Sequence, residues 1–180
     1  EGAHKLLMEY VYRSHFTFYG NESKIKLLEI GSTRELYPHL NSTQKLWLMC
    51  RVYGYDMISV DMDSDNIKRL DETIVVKRSR TDSFSKNNLE NNAKENNLQL
   101  INAVGEKFLK EYDAKGIHFS FVYLDSFDYS ENEQHHSSER RDKYRSLLGK
   151  EITNVECSRH HLNCVDLLVK RQLVNMGSVI

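Results

Sequence analysis

Carboxylates recur in this chain where apolar runs stop. "KIKLLEIG" closes on Glu29 and Gly31, with Ser32 next, and "DMISVD" closes on Asp61, with Asp63 two residues on. "LQLINAV" runs out at Asn102 and Ala103 and is followed by Glu106, and "IHFSFVYLD" closes on Asp125, with Asp128 three residues later. An ionised carboxylate accepts charge-assisted hydrogen bonds, so it suits a sugar diol or an ammonium group. A single acid of this kind can equally cap the helix that follows it. Acids at several successive run ends point instead to convergence on one crevice. Gly31 adds a backbone requirement, because without a Cβ the chain can turn sharply and a ligand can lie against it.

A second group sits in "CSRHHLNC", where Cys157, His160, His161 and Cys164 fall at helical spacing. These are zinc-ligand types, but at 1.5 Å rise per residue the two cysteines lie about 10 Å apart along a helix. That is too far to share an ion with ligand bonds of about 2.3 Å, so the four together are not expected to hold a metal. A buried helix face of small cysteines with a satisfied histidine is one reading. The other gives a histidine, His161 in preference, access to a site mouth as general base. Asp125 and Asp128 would admit a divalent cation only with further acids, and Asp128 reads more simply as a loop acid. His135 and His136 lie in a solvated polar tract where a substrate lid would have to form.

Strand and helix alternate around these residues. A leading helix is expected over residues 3–18, then strands at "KIKLLEIG", "DMISVD", "LQLINAV" and "IHFSFVYLD". "NSTQKLWLMCRVYG" reads as a helix capped at Asn41 or Ser42 and stopped at Gly54. "GEKFLKEYDAK" and "RDKYRSLLG" are helical, as is the run from Asn154 to about Val174, with Met176-Gly177 as its stop and "SVI" opening a strand. Residues 62–99 read as Asn-rich and irregular, with a polar surface helix in "SKNNLENNAKENN". Strands separated by helices imply right-handed crossovers and a mostly parallel sheet covered on both faces. The expected fold is therefore α/β and Rossmann-like, one domain over residues 1–180, with its C-terminal strands beyond Ile180 in a longer protein.

Lys and Arg number 25 against 26 Asp and Glu, so no global basic field marks a nucleic-acid partner. No apolar stretch is long enough for a membrane span, and no membrane partner is expected. Three cysteines, sparse and odd in number, argue against a disulfide framework and for a reducing, cytoplasmic setting.

In an open parallel sheet, ligands bind outside the carboxyl ends of the strands. A dinucleotide would want the GxGxxG turn for its phosphates, and here Gly31 is followed by Ser32, Thr33, Arg34 and Glu35. With "LLEIGS", "ISVDMD", "INAVGEKFL" and "FVYLDSFD" in this order, the sequence resembles the class I S-adenosylmethionine-dependent methyltransferases. The resemblance covers about residues 25–180. It implies that Glu29, Gly31 and Ser32 serve the methionine end of the cofactor, and that Asp61, with Asp63, holds the ribose hydroxyls. It sets Glu106 near the adenine and makes Asp125 face the methionine end and a small-molecule acceptor. It also implies methyl transfer to an oxygen or nitrogen, with Asp125 and His161 as the catalytic candidates and S-adenosylmethionine as cofactor. Two departures stand out: the glycine-rich loop is reduced to Gly31, and "RELYPHLNS" is inserted before the second strand. A nicotinamide-dependent oxidoreductase and a non-catalytic binding module on the same fold are the rival readings.

Overall fold

Leu27, Leu28 and Ile30 drive the first strand, and because successive side chains of a strand point to opposite faces they feed two different cores. In the computed structural model, which describes residues 25–33, 41–82, 97–114, 118–126, 138–150 and 152–180 together with Leu6, Glu9, Tyr10 and Arg13, this strand is β1 (Lys26–Ile30). It is followed by α1 (Ser42–Tyr53), β2 (Asp56–Asp61), α2 (Ser64–Asp82), β3 (Leu98–Asn102) and α3 (Gly105–Glu111). β4 (Phe119–Leu124), α4 (Ser138–Leu148), α5 (Asn154–Lys170) and β5 (Val174–Val179) complete the order. The strands form one sheet in the order β3-β2-β1-β4-β5, with every pair parallel. This is the α/β, Rossmann-like architecture expected from the alternation of elements.

Leu27 and Met57 pack with Leu46, Trp47 and Cys50 of α1 and Ile74 of α2 on one face. Leu28, Ile30, Ile58 and Val60 pack with Phe108 and Leu109 of α3 and Cys164 and Leu168 of α5 on the other. Both sheet faces are therefore covered, which is what a parallel sheet of near-continuous apolar strands requires. A third cluster joins Tyr144 of α4 to Cys157 of α5, with Met62, Leu148 and Ile152 against it. The strand order reverses between β2 and β4 around β1, so the crossovers leave the carboxyl end of β1 in opposite directions and open a crevice there.

The capping signals around α1 act as read. Asn41 Oδ1 accepts from the Gln44 backbone amide at 2.7 Å, and Gly54 closes the helix at φ 72°. Three expectations are corrected. Residues 64–82, read as irregular, form the long helix α2, because Leu70 and Ile74 bury themselves against the sheet and Asp63 accepts the Asp65 and Ile67 amides at its start. The helix expected to run to Val174 stops at Lys170: Gln172 takes φ 53°, and Val174 onward pairs with β4. Gly177, read as a helix stop, lies inside β5 at φ 89°. The helix expected in "SKNNLENNAKENN" up to Asn96, the insertion "RELYPHLNS" up to Leu40, and Asp128, His135 and His136 fall outside the described residues. Of the leading helix only Leu6, Glu9, Tyr10 and Arg13 are described, and these are helical.

Candidate functional site

The strand-tip acids do gather at one end of the sheet, and the parallel register explains why. Glu29 lies beside Ser59 of β2 and Tyr123 of β4, and Asp61 lies beside Asn102 of β3. Between the tips is a shallow, open crevice. Its floor is Ile30 and Gly31 of β1 with Val60 and Asp61 of β2, and Met62, Ala103, Val104 and Gly105 form its walls. Ser126, just past β4, and His160 of α5 complete it.

Gly31 sits at φ 94°, and a Cβ there would fall inside the backbone of Asp125 and Ser126. The Gly31 amide donates to Val60 O and the Asp125 amide to Ile30 O, each at 2.8 Å. The glycine thus lets the exits of β1 and β4 pass in contact at the crevice floor. Ser32 and Thr33 continue this exit, both buried. Ser32 Oγ meets Ser59 Oγ at 2.7 Å, and the Thr33 amide donates to Thr43 Oγ1 at 2.8 Å. Asn66 and Arg69 of α2 donate to the carbonyls of Ser32 and Thr33. The β1 exit is therefore tied to both α1 and α2.

Glu29 is completely buried beneath this loop. Ser59 donates to one of its carboxylate oxygens at 2.6 Å and Ser42 to the other at 3.1 Å. Burial lifts its pKa from 4.5 to about 7, against the lowering effect of hydrogen bonds from Ser59, Thr43 and Ser42; the charge of Asp125 adds to the rise. Asp61, also buried, accepts from the Asp63 amide at 2.7 Å and from Asn66 Nδ2 at 3.1 Å. Asp63 pairs with Lys143 of α4 at 2.5 Å. Burial would raise its pKa, but the Lys143 hydrogen bond and charge and the backbone amides of Asp65 and Asn66 hold it below the usual carboxylate range.

At the other end of the crevice, His160 Nδ1 meets Glu106 Oε1 at 3.0 Å, and Asn163 donates to the same oxygen at 3.1 Å. Burial pulls the His160 pKa down, opposed by the Glu106 carboxylate. Its Nε2 lies 3.6 Å from Cys164 Sγ. A thiol, an imidazole and a carboxylate in series have the connectivity of a nucleophilic triad. Cys164, however, is fully buried and its thiol is pushed up to about 12, so it is no nucleophile here. His161, one residue on, is half-buried and outside the crevice lining. Burial lowers its pKa while the charge of Asp125 opposes the fall. Asp125 is exposed, and with Glu29 it helps to raise the pKa of Tyr123, chiefly an effect of burial.

The structure thus brings Gly31 and Asp61 into the crevice lining and sets Glu29 and Ser32 beneath it. Asp63 is turned to α4, Glu106 to His160, and Asp125 toward His161 and Tyr123. Asn66, Arg69 and the crevice position of His160 are additions that the strand-end reading missed. The spacing of Ile67, Leu70 and Ile74 was the available signal for the first two, since it marks α2. Among the described residues, no group of three or more His, Cys, Asp or Glu side chains could hold a metal ion, and no helix is long and apolar enough to cross a membrane. Cys157 and Cys164 belong to different apolar clusters. Comparisons of the sequence with models of known protein families and with curated proteins gave no match.

Proposed function

We propose that this chain binds S-adenosylmethionine in the crevice and transfers its methyl group to an oxygen or nitrogen of a small molecule. The observation that carries the reading is Asp61, a buried carboxylate at the tip of β2 that lines a crevice at the reversal of strand order. The residues fit the cofactor's parts. Asp61 presents a carboxylate of the kind that suits a ribose diol, and Val60, Met62, Ala103 and Val104 line the same crevice with apolar groups that suit a flat base. The exit of β1 carries one glycine and tied hydroxyls instead of a run of free amides, which suits a ligand without phosphates.

When bound, the cofactor supplies an electrophilic sulfonium methyl. The chain's own part is alignment and electrostatics. Asp61 orients the ribose, and Asn66 and the Asp63 amide hold Asp61 in place. Glu29 acts through Ser59 and Ser32: with a pKa of about 7 it is divided between neutral and charged forms at neutral pH, and a cationic ligand nearby would favour the charged one. Asp125 faces the acceptor, and His161, with its pKa below the usual range, is neutral near pH 7 and can take the proton of an acceptor hydroxyl. Three free cysteines, all buried, suit a reducing cytoplasmic setting.

Isothermal titration with S-adenosylhomocysteine tests the reading. Asp61→Ala should weaken binding by roughly 1.5–3 kcal/mol, the scale of lost hydrogen bonds to a charged group. Unchanged affinity would remove the ribose assignment. Stabilisation by NAD or NADP in a thermal-shift assay, without any by S-adenosylhomocysteine, would favour an oxidoreductase instead.

A further inference from the structure

The side of α5 that turns away from the core carries an apolar row. Cys157, Cys164 and Leu168 are buried on the inner side of the helix. Val155, Leu162 and Val169 follow one another at heptad steps on the opposite side, and they are 63%, 69% and 59% exposed. A heptad is close to two helical turns, so the three side chains form one stripe, with about 10 Å of axis between neighbours. Single exposed apolar residues are normal on a protein surface, but a continuous row along one helix is the seam on which helices pair. By contrast Leu48 and Val52, exposed on α1, span only a single turn.

The charges beside the row suit a second copy of the same helix. Arg159 and Asp166 are both exposed, and each stands one turn after an apolar member, Val155 or Leu162, so both flank the row on the same side. Asp166 pairs with Lys170 of its own helix at 2.7 Å, and a carboxylate can accept from a second cation as well. We infer that α5 is the contact of a symmetric dimer, in which the helices of two copies lie antiparallel about a two-fold axis through Leu162. The axis sets Leu162 against the partner's Leu162 and Val155 against the partner's Val169. It also keeps each flank against the same flank of the copy, which brings Arg159 level with the partner's Asp166 to within one residue's rise, about 1.5 Å. Both ion pairs then form together. A parallel pairing would hold the two Arg159 side chains at one height and the two Asp166 side chains at another, on opposite flanks, and would form neither. The chain's formal charge of -1 sets little overall repulsion against this self-association.

Sedimentation equilibrium of the whole chain over a concentration series tests the inference. The wild type should pass from the 21.1 kDa monomer to twice that mass as concentration rises. A single pair of helices buries less than the roughly 1,200 Å² of a standard interface, so the transition belongs in the micromolar range or above. Leu162→Asp should raise the dissociation constant at least about tenfold, since two carboxylates would meet on the axis. If that variant does not fold, Val155→Asp replaces it, because an acid is favourable in the first turn of a helix. Val52→Asp, on α1, should leave the dimer unchanged. Arg159→Asp alone should weaken it at least about threefold, and Arg159→Asp combined with Asp166→Arg should return it to within about twofold of the wild type, because the exchanged charges meet again. A chain that stays monomeric would leave the row to a different protein and overturn the inference. So would a dimer that survives Leu162→Asp, a dimer that Val52→Asp also breaks, or a charge exchange that restores nothing.

Discussion

Glu29 is a carboxyl group in a place where a charge is costly. Its folded pKa of about 7 stands above the 4.5 of a solvated glutamate. The folded state therefore binds more protons than the unfolded state between those values, and stability falls as pH rises through the window. The shift corresponds to about 3 kcal/mol. Glu29→Gln keeps the shape and removes the titration, so urea unfolding across the window should show the wild type losing about 3 kcal/mol relative to the variant. Parallel stability curves would mean that the carboxylate is compensated. Two glycines make a second contrast. Gly31→Ala must hold alanine at φ 94° and drive a Cβ into the Asp125–Ser126 backbone, so a loss of about 2 kcal/mol or more is expected. Gly54→Ala meets nothing within 4 Å at φ 72°, and only the left-handed backbone is penalised, at about 1 kcal/mol. Similar midpoints for the two variants would remove the close-approach account of Gly31.

At the scale of elements, helix ends decide how His160 is presented. α5 begins with a capping box: Thr153 accepts from the Glu156 amide at 3.2 Å, and the Glu156 side chain accepts from the Thr153 amide. Thr153→Ala should cost about 1 kcal/mol and Thr153→Ser much less, measured by denaturant unfolding. Local chemistry of this kind is what the sequence displays. Asn41 and Gly54 bracket α1 where their types indicate, and the four strands before α4 are visible as apolar runs. α2 was hidden because, among its residues of described burial, the buried apolar positions Leu70 and Ile74 are few and most of the helix is charged or polar. The end of α5 was hidden because the left-handed stop is Gln172 rather than a glycine, while the glycine that resembled a stop, Gly177, serves the irregular pairing of β5.

For the molecule as a whole, position along the sheet orders stability. β1 has hydrogen-bonded neighbours on both sides, whereas among the described residues β5 pairs with β4 alone through a shifted register. Amide exchange should be slowest in β1 and fastest in β5 among the strands, and protected β5 amides would contradict it. The convergence of the strand-tip acids was legible, because parallel strands put their carboxyl ends together. Their partners were not. Lys143 meets Asp63 and His160 meets Glu106 across long separations, and nothing local in the chain announces such pairings.

The placement of the cysteines has one more consequence. Cys50 lies in the cluster under α1, Cys164 in the cluster under α3 and α5, and Cys157 in the cluster beside α4. All three are buried, and burial pushes the Cys50 and Cys164 thiols up to about 12. Alkylation with iodoacetamide must therefore wait for each cluster to open, so every modified sulfur records one opening event at a known address. Peptide mass spectrometry over a time course would turn the three thiols into separate clocks. Equal rates would describe a molecule that opens all at once, and a faster Cys157 would describe one that first peels away its α4 corner.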